Sequence, residues 1–294
     1  MAVTTFRSGA RLSVRPYAPG DEAAVLDLVA ADRLPGQPLT TPAMLAEAVA
    51  GRSPVDGGWW AELEPPVTEV IHDETGTVLG VVSYATRPSD GAGFILWLHC
   101  REDQSLAEAL ATRAIGRLGE QCTVHALEFA SALTLGLEGL PVLHRPATRR
   151  ALKAAGFTAR DLWRYMRADL PIAGLPHAAH VAVEECEDPP GRRLEVREGG
   201  GPVAEATIGR PVAGIGVLWW ISVAPPARGR GLGLALLGSA LDLLAGLGAR
   251  EVILYVDDDA PPGDRERDRT AANALYDRVG CTEVDRLHSF TRRP

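Results

Sequence analysis

The sequence predicts an α+β protein of two consecutive units, each a mixed, mostly antiparallel twisted sheet flanked by helices. Three observations predict it. Alternating or wholly apolar runs of strand length recur along all 294 residues. Helical stretches with their own start and stop signals fall between them at corresponding places in the two halves, a structural repeat at a period near half the chain. A Pro- and Ala-rich stretch, 171–190, separates the halves and sets the expected domains at 1–170 and 171–294.

The first half opens on an alternating strand, Leu12 to Tyr17. Pro19-Gly20-Asp21 is a turn and helix start for Glu22 to Ala31, and a second helix is expected from Pro42 to Ala50. Trp59 to Leu63 and Val67 to Asp73 read as strands, Glu74-Thr75-Gly76 as a hairpin turn, and Val78 to Thr86 and Gly93 to Cys100 as two further strands. Ser105-Leu106-Ala107-Glu108 is a capping-box pattern opening a helix to Leu118. Thr123 to Phe129 is a buried strand, Ala147 to Ala155 a helix closed by Gly156, and Phe157 to Ala168 a closing strand. After the linker and a short strand, His180 to Cys186, the second half begins again. Arg192 to Glu198, Pro202 to Arg210 and Gly214 to Val223 form a meander. A glycine turn and the helix Leu234 to Leu247 follow, then strand Glu251 to Val256, helix Arg269 to Val279 and strand Thr282 to Arg292.

Composition narrows the function classes. Hydrophobic residues make up 46% of the chain, enough for a core. A net charge of −8 speaks against general nucleic-acid binding. Lys153 is the only lysine, and the Ala-, Gly-, Pro- and Arg-rich usage suggests a GC-rich bacterial source. Cys100, Cys122, Cys186 and Cys281 lack metal-ligand spacing and read as buried or incidental thiols. No apolar run reaches the roughly 20 residues of a membrane span, and Met1 to Arg11 lacks a signal-peptide core, so a cytoplasmic protein is expected.

The most informative segment is Val223-Ala-Pro-Pro-Ala-Arg-Gly-Arg-Gly-Leu-Gly233, between an apolar strand and an apolar helix. A helix N-terminus leaves backbone N–H groups without partners and carries partial positive charge. Gly229, Gly231 and Gly233 let the backbone approach a ligand, and Arg228 and Arg230 suit phosphate oxygens. This is an anion site fit for a pyrophosphate. It lacks the Gly-Lys-Ser/Thr of a P-loop and the dinucleotide fingerprint. A basic glycine turn with no ligand is the alternative.

The spacing Arg-x-x-Gly-x-Gly at Arg228, Gly231 and Gly233, after Val-x-Pro at Val223 and Pro225, resembles the acetyl-CoA segment of the GNAT superfamily of acyltransferases. The element order of both halves resembles that fold, as do Arg15-Pro16 with Asp21 and Lys153-Ala-Ala-Gly-Phe157. The resemblance covers almost the whole chain, but the specific motifs lie in the second half. It implies acetyl-CoA as acyl donor, with Arg228, Gly229, Arg230, Gly231, Leu232 and Gly233 at the pyrophosphate and backbone groups at Ile221 and Val223 on the pantetheine arm. Ala272 with Leu275-Tyr276 resembles the last-helix motif Asn-x-x-Ala-x-x-Leu-Tyr. That assigns Tyr276 to protonating the departing thiolate; a packed core tyrosine is the alternative. The motif's Asn is replaced by Arg269, so Asn273, one turn on, is a candidate for the amide role at the cofactor.

At the corresponding turn of the first half stands Leu98-His-Cys-Arg-Glu-Asp-Gln-Ser105, without glycine; Glu102 and Asp103 would repel phosphate, so that site reads as degenerate. His99 and Cys100 read as a strand-end histidine and a buried thiol. Trp219 and Trp220 alternate faces of their strand, one towards the core and one available to an acceptor cleft. Asp257, Asp258 and Asp259 open an acidic loop whose carboxylates are candidate binders of a cationic amine, Asp257 and Asp258 foremost; a solvated loop paired with Arg265, Arg267 and Arg269 is the alternative. The tandem arrangement is similar to superfamily members that acetylate a sugar-linked cysteine amine. The expected function is transfer of an acetyl group to a small-molecule amine by a monomer or homodimer. A non-catalytic acyl-CoA-binding or partner-binding module and a protein N-acetyltransferase stay open beside it.

Overall fold

The computed structural model describes residues 3–5, 11–257 and 269–294. Asp258, Asp259 and the rest of the acidic loop to Asp268 lie outside the described residues. The chain divides into two compact units, 1–162 with 286–294, and 163–285. Each is a mixed sheet flanked by helices.

Unit 1 holds β1 (Val3–Thr5), β2 (Arg11–Pro16), α1 (Glu22–Ala31), α2 (Pro42–Val49), α3 (Gly57–Trp60), β3 (Val67–His72), β4 (Val78–Arg87), β5 (Ala92–His99), α4 (Gln104–Leu118), β6 (Val124–Ala126), β7 (Leu140–Pro141) and α5 (Pro146–Ala154). Strands β1 to β5 pair antiparallel in chain order, and β6 joins β5 in parallel. Two apolar layers cover the sheet. Leu98, Cys100, Leu110 and Leu152 form one with α4 and α5; Val25, Leu28, Phe94 and Trp97 form the other with α1 and α2. The Arg15 guanidinium grips the buried Asp21 carboxylate at 2.6 and 2.7 Å, tying β2 to the start of α1.

Three local expectations change. The strand expected at Trp59 to Leu63 is instead the single turn α3. Its Trp60 indole donates to the Ala130 carbonyl at 2.9 Å, and the Asp56 carboxylate accepts from the Ala130 N–H at 2.9 Å. These distant partners outweigh the β preference of two tryptophans. The strand expected at Thr123 to Phe129 shrinks to β6, because Leu127 turns to φ 59°. Helix α4 is capped by Asp103, whose carboxylate accepts from the Leu106 N–H at 3.0 Å, rather than by Ser105.

Two strands contribute to both units. In β8 (Thr158–Asp169), Trp163 to Asp169 pairs antiparallel with β13 (Glu251–Asp257) of unit 2. In β14 (Thr282–Arg292), Phe290 to Arg292 pairs with β6 of unit 1. Unit 2 continues with the meander β9 (Val181–Glu187), β10 (Pro190–Glu198), β11 (Gly201–Gly209) and β12 (Ile215–Val223), then α6 (Leu232–Gly246), β13 and α7 (Thr270–Arg278). Between β8 and β9 it has no counterpart of α1 and α2. Its core sets Leu236, Leu237, Leu241 and Leu244 of α6 against Leu194, Ala206, Leu218 and Leu254 of the strands.

The segment read as a linker is anchored on α6. The Ala178 N–H donates to the Ala235 carbonyl and to Ser239 Oγ, each at 3.1 Å. Leu175 and Pro176 lie so close to Gly238 that a Cβ there would stand 2.2 Å from the Pro176 oxygen. Gly116 of α4, by contrast, has open space at that position. One chemical change should therefore act with opposite signs. Gly116→Ala should raise unfolding stability by about 0.5–1 kcal/mol through helix propensity, while Gly238→Ala should lower it despite the same gain. Urea unfolding monitored by circular dichroism reads both.

Candidate active site

The site begins with one irregular residue. On β12, Leu218 faces Ile208 and Trp220 faces Thr207, so Trp219 is an extra residue, a β-bulge. The parallel ladder to β13 runs from Ile215↔Glu251 to Leu218↔Leu254 and stops there. Beyond it, β12 stays hydrogen-bonded to β11 as far as Val223↔Ala204, and β13 stays with β8 as far as Asp257↔Trp163. The bulge bends β12 away from β13, so the edge of β12 from Trp219 to Val223 has no strand beside it among the described residues. Ile221 and Val223 lie on this stretch and turn their side chains to the α6 core.

Directly after β12 the chain makes a short turn at Pro225–Ala227 and enters the glycine segment. Gly229 and Gly231 have φ of 77° and 78°, which any larger side chain would strain. Gly231 is the N-cap of α6, and no side chain caps the helix. The N–H groups from Gly229 to Leu234 have no acceptor among the described residues, and they stand at the positive end of the α6 dipole. Arg228 donates from Nε to the Val223 carbonyl at 3.0 Å. Arg230 makes a bidentate pair with Glu198, 2.8 Å on each arm, with both side chains exposed.

Helix α7 closes the third side. A Cβ at Gly233 would lie 3.5 Å from Val223 Cγ2 and 4.0 Å from Leu275 Cδ2, so strand end, helix start and α7 converge on one glycine. Tyr276 follows Leu275 and is 6% exposed. Burial, with Cys281 nearby, pushes its phenol above the ordinary tyrosine range, so it stays protonated at working pH. Its hydroxyl has no partner among the described residues. Asp257 ends β13, opposite Trp163.

What holds α7 is not legible in the sequence. Arg164 of β8 donates from Nε to Glu283 at 2.6 Å and from Nη2 to Asp277 at 3.2 Å, and Nη1 donates to Asn273 Oδ1. Asn273 Nδ2 donates to the Arg269 carbonyl at 3.1 Å, so both ends of that amide are engaged inside the protein. Trp219 stacks with Tyr255 at 6.4 Å between ring centroids, and Tyr255 packs at a tilt against Tyr165 at 5.4 Å, while Trp220 is half exposed. The residues of the clamp are far apart in sequence, and only strand register brings Arg164 beneath α7.

Unit 1 repeats the strand device and lacks the anion turn. Leu96 is the extra residue of β5, between Ile95↔Tyr84 and Trp97↔Ser83, and the β5–β6 ladder ends at Ile95↔Ala126. The following turn has Arg101 and Glu102 at φ 52° and 56° in place of glycines. The Asp103 carboxylate occupies the first turn of α4. Glu102 reaches instead to the start of α5, accepting from the Ala147 and Thr148 N–H groups at 2.7 and 3.2 Å. His99 is buried on Asp32 at 3.1 Å, and burial pushes the Cys100 thiol up to about 12, leaving it unreactive. Replacing Arg164 with Met should lower unfolding stability by about 2 kcal/mol, because Asn273, Asp277 and Glu283 lose a shared, mostly buried donor. Urea unfolding checks this.

Part of the chain matches a known protein family. Residues 159–280, which hold the bulged strand, the glycine turn and α7, match the acetyltransferase (GNAT) family. Across 289 aligned residues the chain is 28% identical to a mycothiol acetyltransferase of Nocardioides sp., covering 83% of this chain and 92% of that one. Among solved structures, a tandem GNAT protein from the clavulanic acid biosynthesis pathway superposes with a TM-score of 0.64 at 18% identity, over 95% of this chain and 98% of that one. A GCN5-related N-acetyltransferase from Sphaerobacter thermophilus gives 0.60 at 17% identity, over 96% of each chain. Residues 159–280 thus match the acetyltransferase (GNAT) family, and the chain as a whole is similar to mycothiol acetyltransferases and shares the fold of a tandem GNAT protein.

Proposed function

We propose that the chain moves an acetyl group from acetyl-CoA to the primary amine of a small molecule, with unit 2 as the catalytic half. The observation that carries this reading is the unpaired edge of β12, from Trp219 to Val223, running into the uncapped N-terminus of α6. Unpartnered N–H groups at Gly229 to Leu234, with the helix dipole, suit a pyrophosphate. Arg228 and Arg230 stand beside them; the Arg230–Glu198 pair is exposed and weakly held, so Arg230 can exchange a carboxylate for a phosphate. The open edge of β12 suits the amides of a pantetheine arm, added like a strand at Ile221 and Val223. Bound acetyl-CoA supplies the activated acyl group.

The residues of this chain then orient and protonate. The β12 backbone would hold the acyl end beside the bulge while the neutral amine nitrogen bonds to the acyl carbon. As the acyl–sulfur bond breaks, Tyr276, kept neutral by burial, would give its proton to the sulfur, and the proton lost by the nitrogen passes to solvent, from which the phenol is reprotonated. The acidic run Asp257, Asp258 and Asp259 attracts a cationic acceptor amine. Relatives named mycothiol acetyltransferase support a small molecule over a peptide as acceptor.

Calorimetry with acetyl-CoA should give one site per chain, and Gly231→Glu should abolish it; two equivalent sites, or a site that survives the glutamate, contradict the assignment to unit 2. Tyr276→Phe should leave acetyl-CoA affinity unchanged and lower single-turnover acetyl transfer by roughly 10²–10⁴-fold. Undiminished turnover would remove Tyr276 from the chemistry. Binding without turnover on any amine would favour the acyl-CoA-binding module.

A further inference from the structure

Unit 1 contains a partly open cavity at the end of β5, where β6 has departed. Leu34, Leu133 and Leu137 give it an apolar wall, and Asp32, Trp97 and His99 bring polar groups into the lining. Neither acyl transfer nor the core accounts for how these polar groups are left.

The Asp32 side chain is 1% exposed. Its Oδ2 is hydrogen-bonded to His99 Nδ1 at 3.1 Å and to the Cys100 N–H at 3.3 Å, and it forms an ion pair with Arg145 Nη2 at 3.2 Å. Its Oδ1 is buried and receives none among the described residues. Burial by itself would raise the Asp32 pKa, but the His99 hydrogen bond and the Arg145 charge prevail and keep it below the ordinary range, so the carboxylate is ionised. A buried carboxylate oxygen without a donor is costly, and native proteins rarely leave one so. Trp97, 3% exposed, has the complementary gap: its indole N–H is buried without an acceptor.

The unmet carboxylate oxygen specifies the missing group further. Burial holds His99 below its usual pKa, which favours the neutral ring. Arg145 is held by Asp32 at 3.2 Å and Glu102 at 3.0 Å, and Arg33, which also lines the cavity, donates to the Gln37 carbonyl at 2.8 Å, so Asp32 Oδ1 is the ionised acceptor left without a donor among the described residues. Coenzyme A does not suit this site, since Asp103 already caps α4 and the preceding turn has no glycine.

We propose that the unit 1 cavity binds a compact amino alcohol: a protonated amine donating to Asp32 Oδ1, a hydroxyl oxygen accepting from the Trp97 indole, and a branched apolar body against the leucines. The degenerate half is then a ligand-binding module in its own right, built on the strand departure that serves the acyl donor in the other half.

The test is calorimetry on the full chain with valinol as probe. One saturable site in the millimolar range or tighter is expected. Isopentanol, which lacks the amine, and isovalerate, whose charge is reversed, should bind about 10- to 100-fold more weakly, the worth of a hydrogen bond to a charged group. Leu137→Trp, which fills the cavity while leaving the polar network alone, should remove the site. Trp97→Phe should weaken valinol and isopentanol alike, because both present a hydroxyl to the indole, and should leave isovalerate unchanged. Gly231→Glu should bind valinol as the parent does, so failure of the acyl-CoA assignment and failure of this one are told apart. Absence of saturation, isovalerate binding as tightly as valinol, or full affinity in Leu137→Trp would overturn the proposal.

Discussion

Everything at the candidate active site depends on one backbone irregularity, the extra residue Trp219 in β12. Without it the parallel ladder to β13 could continue past Leu218↔Leu254 and satisfy the edge of β12 internally. With it, the strand keeps its β11 partner on one side and exposes N–H and C=O groups on the other. Exposed strand edges are usually blunted or covered. Here the edge leads straight into a helix start that is also unsatisfied, so two sets of unmet backbone groups lie in series. A donor with amides along its length and a pyrophosphate at its end meets both.

The two units show how little is needed to separate a site that can take an anion from one that cannot. Both have the bulge, at Leu96 and Trp219, and in both the parallel pairing ends at the preceding residue. The difference lies in the turn. Gly229 and Gly231 adopt positive φ without strain and leave α6 uncapped, whereas Arg101 and Glu102 adopt it at a cost and Asp103 fills the helix start with a carboxylate. Unit 1 answers the same geometry with a buried network of Asp32, His99, Arg145 and Glu102, and that network leaves a cavity with an unmet carboxylate oxygen.

Much of this was legible in the sequence, because the signals were local. Strands β3 to β5 and β10 to β12 follow from their apolar patterns, and the glycine turn announces itself through residue types that tolerate positive φ. The misses share a physical cause: distant partners. Trp59 and Trp60 look like strand until Asp56 and Ala130 fix them as a helical turn. Asn273 looks available to a ligand until Arg164, 109 residues away, engages it. Arg230 looks free until Glu198 folds beside it. The 171–180 stretch looks loose, and only the close approach to Gly238 reveals it as packed. Pattern and propensity do not encode register, and register decides which of two distant side chains meet.

The central claim is that acetyl-CoA joins the protein along the unpaired edge of β12 and the start of α6. Amide hydrogen exchange with and without acetyl-CoA tests it most directly, because it reads the backbone groups on which the claim rests. The account predicts slowed exchange at Trp219 to Val223 and Gly229 to Leu234, with no change from Trp97 to Leu106 of unit 1. Slowing confined to the unit 1 segment, or none at the β12 edge despite saturation, would contradict it.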